Sequence, residues 1–196
     1  VGDIHRSGSL LLSLINDILD MARIESGKVE LSPEPVDIGA AVEDVARLMR
    51  LRAEAKQITL STDQALDLPP VMADLRATTQ ILLNVVVNAV KFTPNGGHVS
   101  IRTRKRGSQV EIAVADTGPG IAGVDLARLG RPFERVQVDA FDATPDNKGT
   151  GLGLAISRAL AELQHGSLKL ESELGVGTTV LLRLPMADRD KPIARH

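Results

Sequence analysis

The sequence predicts an α+β fold, a two-layer α/β sandwich in which a mixed sheet carries its helices on one face, preceded by a segment of a helical bundle. Three patterns lead there. Residues 75–92 keep a continuous apolar face through Ile81, Leu82, Val85, Val86 and Ala89, the period of an amphipathic helix. Two alternating runs, Val99 and Ile101 and then Val110, Ile112 and Val114, share one buried face around an Arg106-Gly107-Ser108 turn, as in a hairpin. Near the start, Ile4, Gly8, Leu11, Ile15, Ile18 and Ala22 alternate steps of four and three, a heptad seam on one helix. With 196 residues, 43% of them hydrophobic, the chain buries one sizeable core and is too short for two large domains.

In chain order, Leu12, Leu14 and Leu19 widen the first stripe beyond what one partner helix covers, so residues 1–27 read as a bundle helix that self-associates when exposed. That helix ends near Gly27. Residues 28–36 alternate apolar and polar side chains around Pro33 and Pro35, giving a short edge strand and linker. A domain boundary falls there: the globular domain spans 28–186 and a polar tail 187–196. Asp37 caps a helix running to about Lys56, and 58–62 reads as a strand. The Leu68-Pro69-Pro70 corner leads through a short strand at Val71 and Met72 to Asp74, which opens the helix over 75–92; Pro94-Asn95-Gly96-Gly97 stops it. Residues 117–150, rich in Gly, Asp and Pro and without periodicity, read as a lid, because so long a loop inside a compact domain is usually functional. A third helix over 152–163 precedes two closing strands, 168–173 and 178–184, with Gly175 and Gly177 in their turn.

Composition excludes several classes of function. Lys and Arg number 23 against 25 Asp and Glu, a formal charge of -2, so nothing electrostatic favours nucleic acid or an anionic membrane as partner. Arg102, Arg104, Lys105 and Arg106 cluster on the hairpin without an aromatic platform and read as a solvated turn. The lack of cysteine excludes disulfides, thiolate zinc sites and cysteine nucleophiles, and permits a reducing cytoplasm. No apolar run approaches the roughly 18 residues that span a bilayer, and the N-terminus lacks the basic-then-apolar order of a signal peptide. The chain begins inside a helical pattern, as an excised piece would. A cytoplasmic location is therefore expected, while the parent stays free to carry a membrane anchor.

Three segments hold small or polar residues where a core needs none. Asn84, Asn88 and Lys91, at steps of four and three, share the helix face opposite the apolar one. Asn offers a neutral oxygen to Mg2+ and Lys neutralises phosphate, although the same trio alone also describes a solvated face. Asp116-Thr117-Gly118-Pro119-Gly120 ends an apolar strand, where a carboxylate accepts from an exocyclic amine and glycines let backbone approach a planar ring; alone it is also a turn. Gly149-Thr150-Gly151-Leu152-Gly153-Leu154 enters a helix, presenting backbone N–H groups to phosphate, and by itself also resembles a dinucleotide fingerprint.

In this order, on a helix, a strand end and a helix start, the three segments resemble the N, G1 and G2 boxes of sensor histidine kinases, whose GHKL ATP-binding fold is shared with gyrase, Hsp90 and MutL. The resemblance covers residues 29–184. It implies that Asn84 and Asn88 address Mg2+ and the triphosphate, that Lys91 meets the phosphates, and that Asp116 accepts from the adenine amine with Gly118 and Gly120 around the ring. It further implies that Gly149, Thr150, Gly151, Leu152, Gly153 and Leu154 line the closing lid. The segment Leu129-Gly130-Arg131-Pro132-Phe133-Glu134-Arg135 resembles the F box with Phe133 alone of its usual two aromatics. Ile15-Asn16-Asp17-Ile18-Leu19-Asp20, followed by Arg23-Ile24-Glu25-Ser26-Gly27-Lys28, resembles the end of the second helix of the family's dimerisation and histidine-phosphotransfer domain. Asp74-Leu75-Arg76-Ala77 and Arg131-Pro132-Phe133 are similar to the PleC and DivJ type, whose neighbourhood includes DivL-like scaffolds.

The hydrolases of this fold resemble one another in a Glu four residues before the metal-binding Asn; here Asn84 stands there and cannot take a proton from water. The resemblance thus implies a protein-histidine kinase with Asn84 and Lys91 as catalytic residues, moving the γ-phosphate of ATP to a histidine on a phosphotransfer helix of the same or a partner subunit. A response regulator downstream and a homodimeric parent are its implied partners. None of the four histidines stands in the family's acceptor context: His5 precedes Arg6, His98 begins a strand, His165 lies in a turn and His196 is terminal. The chain is expected to bind ATP without phosphorylating itself. The alternative reading is a nucleotide-binding scaffold without phosphotransfer, to which the thinned F box points.

Overall fold

The computed structural model describes residues 2–126, 129 and 151–187, with side chains before residue 14 described only at 8, 11 and 12. Helix α1 (Gly2–Glu25) ends as its sequence prescribes. Gly27 is left-handed at φ 65°, its N–H donates to Ile24 at 3.0 Å, and the Lys28 N–H reaches back to Arg23 at 2.9 Å, a Schellman closure that a Cβ at Gly27 would strain. Met21 and Ile24 of its last turns pack against the core, whereas Leu11, Leu12, Ile15, Ile18 and Leu19 of the wide apolar stripe are exposed.

Strand β1 (Glu34–Val36) pairs antiparallel with β3 (Val71–Ala73) in a two-stranded sheet of its own, and a single antiparallel bridge joins Val71 to Met186. Pro33 and Pro35 supply no N–H donors, so the segment sustains only this three-residue ladder. Helix α2 (Ile38–Ala55) starts where Asp37 accepts from the Ala40 N–H at 3.2 Å. Strand β2 (Thr59–Gln64) runs two residues past the expected end, because its parallel ladder with β4 (His98–Arg106) continues to Gln64 opposite Thr103.

Helix α3 (Leu75–Phe92) opens at Asp74, whose side chain accepts from the Ala77 N–H at 2.9 Å and from Ser32 of the linker at 2.9 Å. Although burial opposes ionisation of Asp74, these amides hold its carboxyl below the usual range. Strand β5 (Gln109–Asp116) completes the hairpin with β4, Ile101 opposite Val114, and Val99, Ile101, Val110, Ile112 and Val114 are buried as their alternation requires. A short α4 (Gly123–Leu126) follows within the expected lid, of which residues 127–128 and 130–150 lie outside the described ones. Helix α5 (Gly153–Leu163) and strands β6 (Ser167–Glu173) and β7 (Gly177–Pro185) close the fold; the tail beyond 187 also lies outside the described residues.

The main sheet runs in the order β2-β4-β5-β7-β6, parallel only between β2 and β4. One core joins α2, α3 and α5 to one face of it, among them Val42, Val45, Ile81, Val86, Ile156 and Leu160 against Ile101, Ile112, Leu182 and Leu184. Burying such side chains contributes about 1.5–3 kcal/mol each. The opposite face carries a charged cluster instead: Glu111, 7% exposed, accepts from Arg106 at 3.2 Å and Arg183 at 2.7 Å. Burial works against the Glu111 carboxylate, and the two guanidiniums outweigh it, leaving its pKa lowered. No described helix is long and apolar enough to cross a membrane.

Candidate nucleotide site

The site is organised by α3, which is held at three places. Near its N-terminus the buried Gln164, at the end of α5, accepts from the Asp74 N–H at 2.9 Å and from the Thr78 hydroxyl at 3.1 Å. Midway, the Asn84 Nδ2–H donates to Ser157 Oγ of α5 at 2.8 Å. At the C-terminus the Lys56 ammonium donates to the carbonyls of Val90 at 2.9 Å, Lys91 at 2.8 Å and Thr93 at 2.9 Å. Those carbonyls are the unpaired end of the helix dipole, so a cation there is stabilising. Partial burial of Lys56 pushes its pKa below the ordinary lysine value.

Along the face so fixed, Asn84 lies against the start of α5: a Cβ on Gly153 would sit 2.4 Å from Asn84 Oδ1. A larger residue there would have to displace the Asn84 carboxamide. Asn88 is half-buried one turn on, and among the described residues none hydrogen-bonds its carboxamide. Lys91 is half-buried with Nζ 4.8 Å from the centroid of the Phe92 ring. At the far end, a Cβ on Gly118 would lie 3.1 Å from the Phe92 carbonyl, which brings the loop after β5 to the end of α3. From Asn84 to Phe92 is eight residues of helix, about 12 Å at 1.5 Å per residue. The α5 start and the Asp116 turn therefore stand at the two ends of this face of α3, the candidate nucleotide groove.

At the Asp116 end, Oδ1 accepts the Gly118 N–H at 2.8 Å and the Thr178 N–H of β7 at 3.3 Å, while among the described residues no donor reaches Oδ2. Burial pushes the Asp116 carboxyl above its ordinary pKa, and the two amides offset only part of that. Gly118 and Gly120 are buried, and at Gly120, φ 67°, a Cβ would fall 1.9 Å from the Glu173 carbonyl. The loop thus lies backbone against backbone on the end of β6. At the α5 end Gly151 has φ 75°, Leu152 is fully buried, Gly153 is half-buried and Leu154 packs on the core. Leu152 and Leu154 accordingly face the interior with their side chains and offer a ligand main chain alone.

The structure thus sets Asn84, Asn88, Lys91, Asp116, Gly118, Gly120 and Gly151 to Leu154 around one helix. Phe133, Gly149 and Thr150 lie outside the described residues. Sequence reasoning missed Lys56, Ser157, Ser172 and Thr178. Ser157, 1% exposed, and Ser172 did leave a signal, since each is a polar residue at an apolar position of its period: Ser157 among Ile156, Leu160 and Ala161, Ser172 after Leu168 and Leu170. Lys56 left none, because its partners are more than thirty residues away.

The model of the family described as histidine kinase-, DNA gyrase B-, and HSP90-like ATPase matches residues 73–188. The chain is 46% identical to the non-motile and phage-resistance protein of Caulobacter vibrioides, the match covering 98% of this chain and 23% of that protein. It is also 46% identical to histidine protein kinase DivJ of the same organism, covering 93% of this chain and 30% of that one. It therefore spans between a fifth and a third of the length of these curated relatives. Among solved structures, full-length ShkA in complex with AMPPNP superposes with a TM-score of 0.83 at 38% identity, over 98% of this chain and 39% of that chain. Acinetobacter baumannii histidine kinase AdeS superposes with a TM-score of 0.77 at 22% identity, over 95% and 84% of the two chains, a likeness of fold. On the family match and these relatives, the chain belongs to the histidine kinase-, DNA gyrase B-, and HSP90-like ATPase family, as an ATP-binding catalytic domain of the sensor histidine kinase type.

Proposed function

We propose that this domain binds Mg-ATP in the groove along α3 and transfers the γ-phosphate to a histidine on a phosphotransfer helix, in a parent that acts as a homodimer and passes the phosphate to a response regulator. The observation that carries it is the pairing of a half-buried carboxylate at one end of the groove with a glycine-tight helix start at the other, about two turns of α3 apart. Asp116 Oδ2 accepts the exocyclic amine of adenine, its orientation fixed by Gly118 and Thr178. Gly118 and Gly120, whose lack of Cβ lets the turn close onto Phe92 and the end of β6, border the ring with main chain, and the segment Gly149-Thr150-Gly151-Leu152-Gly153-Leu154 is read as meeting the phosphates, with Phe133 of the lid segment.

Among the described residues no cluster of three or more His, Asp or Glu offers a metal cage. The oxygen donors at hand are carboxamides, and Asn88, with Asn84 beside it, suits a hard cation that keeps much of its water and shares phosphate oxygens. A bound Mg2+ would withdraw charge from the phosphates. Lys91 adds a second positive charge, while an imidazole nitrogen attacks the γ-phosphorus, the bond to the β-phosphate oxygen breaks and ADP leaves. Asn84 is no base for water: its Nδ2–H is spent on Ser157 and its oxygen abuts Gly153, so transfer is favoured over hydrolysis.

Residues 1–27 act as the end of the phosphotransfer helix pair, and the exposed Leu11, Leu12, Ile15, Ile18 and Leu19 face the rest of that bundle. Residues 28–186 are the catalytic unit, working in the cytoplasm. His98 begins β4 and His165 sits in the α5–β6 turn, both exposed; none of the four histidines stands in the acceptor context of the family, so the domain is expected not to label itself. Calorimetric titration with an ATP analogue, with and without Mg2+, tests the reading, followed by labelling of an added phosphotransfer helix. Absence of binding at millimolar nucleotide sinks it; binding without any transfer to the added histidine leaves the scaffold reading in its place.

A further inference from the structure

Ser172, near the end of β6, stands at a junction of three chain segments. Its Oγ accepts the Ile121 N–H at 2.9 Å, donates to the Gly177 carbonyl at 2.9 Å and lies 2.8 Å from Thr178 Oγ1. A serine hydroxyl has one proton and two lone pairs. With the proton on Gly177 and one lone pair on Ile121, the Thr178 hydroxyl must be the donor in the third contact. The hydroxyl is thereby saturated, and rotation of Ser172 away breaks all three bonds together.

Each partner belongs to the Asp116 end of the groove. Thr178 is the residue whose N–H holds Asp116 Oδ1, and Gly177 precedes it. Ile121 directly follows the Gly118-Pro119-Gly120 turn and leads into α4. That turn is suspended from the β6–β7 corner by two bonds, the Gly175 N–H to the Pro119 carbonyl at 2.7 Å and the Ile121 N–H to Ser172. The first is backbone alone and tolerates side-chain change. The second depends on one hydroxyl.

We infer that Ser172 is a positioning residue for the adenine end of the site, fixing through Ile121 and Thr178 the distance between the Gly118–Gly120 turn and the Asp116 carboxylate, and so setting nucleotide affinity without touching the ligand. This rests on the nucleotide reading above. It is separable from a general stabilising role, because the bond to Ile121 orders one loop amide while the β6–β7 ladder is made by backbone.

The test compares wild type, Ser172→Ala and Ser172→Thr by calorimetric ATP titration and by amide exchange without nucleotide, reading Ile121 against Val114 in the core of β5. Ser172→Ala is expected to weaken ATP binding about tenfold, the worth of one to two net hydrogen bonds, and to speed exchange at Ile121 but not at Val114. Ser172→Thr, which keeps the hydroxyl in a strand that accepts β-branching, is expected to restore both. The inference is overturned if Ser172→Ala binds ATP like wild type, if Ile121 and Val114 accelerate together, or if the threonine variant folds and behaves like the alanine one. Wild type that fails to bind ATP removes the nucleotide reading itself and this inference with it, an outcome distinct from the other three.

Discussion

Asp116→Asn separates the two demands placed on one half-buried carboxylate. Oδ1 is held by the N–H groups of Gly118 and Thr178, so an asparagine there must keep its oxygen at that position and place its NH2 where Oδ2 was. The adenine amine, a donor, then meets a donor. A hydrogen bond to a charged acceptor contributes about 1.5–3 kcal/mol, so ATP affinity should fall roughly 10- to 150-fold. Stability should move the other way. Burial raises the folded pKa of Asp116, so its contribution to stability is full below the ordinary carboxylate value and is lost as pH rises through the raised one. At neutral pH the ionised group is a cost to the empty domain, which a neutral amide accepting the same two N–H bonds removes. Calorimetry at pH 7.5 and thermal unfolding of the empty domain should show weaker ATP binding with a melting temperature equal to or above wild type. Wild-type ATP affinity should decline on acidification through the raised Asp116 value, since the accepting carboxylate is lost. A variant that binds ATP within about threefold of wild type, less than 1 kcal/mol, would refute the assignment of Oδ2 to the adenine amine; one that melts several degrees lower would refute the claim that burial of the charge is the cost.

Lys56→Met should leave the carbonyls of Val90, Lys91 and Thr93 at the end of α3 without their cation and cost about 1–3 kcal/mol in urea unfolding, with ATP affinity falling because the end of α3 at the Gly118 turn loosens. Gly153→Ala should push the Asn84 carboxamide off Ser157 and weaken Mg-ATP binding about tenfold at little cost in secondary structure, as titration and circular dichroism would show. Glu111→Gln should lower stability at neutral pH by about 1–2 kcal/mol while leaving ATP affinity unchanged, since the Arg106 and Arg183 pairs lie on the sheet face opposite the helices. Because the Glu111 pKa is lowered on folding, its contribution is present above the ordinary glutamate value of about 4.3 and lost as pH falls through the lowered one, so wild type and variant should converge in acid.

What the sequence made legible was whatever one element records by itself. The α3 face of Asn84, Asn88 and Lys91 follows from a 3.6-residue period, and the buried face of the β4–β5 hairpin from a period of two; both stand in the structure as read. Asp37 and Asp74 announced the starts of α2 and α3, and Gly27 the end of α1. Pairing between distant segments was not legible. β1 joins β3 in a separate ribbon because two prolines limit its donors, which gives no hint of the partner strand. Lys56 reads as the last residue of one helix and works as the cap of another, and nothing local distinguishes a solvated lysine from one that closes a helix 34 residues on. Ser172 and Thr178 belong to a regular β6–β7 ladder, and only the fold reveals that one holds the turn after Asp116 and the other Asp116 itself.

Asn84 shows why the two kinds of information have to be combined. The resemblance to the family reads it as the residue that replaces a hydrolase's glutamate, a statement about a missing base. The structure adds that its amide donates to Ser157 and its oxygen abuts Gly153, so the side chain also joins α3 to α5. A glutamate is one methylene longer and has no N–H, so at this position it would lose the present donor and press into the space that Gly153 leaves open. Acquiring a hydrolytic base would therefore require the α3–α5 contact to be rebuilt as well. The proposed preference for transfer over hydrolysis would thus rest on a packing arrangement of three residues, Asn84, Gly153 and Ser157, and any substitution that relaxes it should alter the phosphate end of the groove before it alters the adenine end.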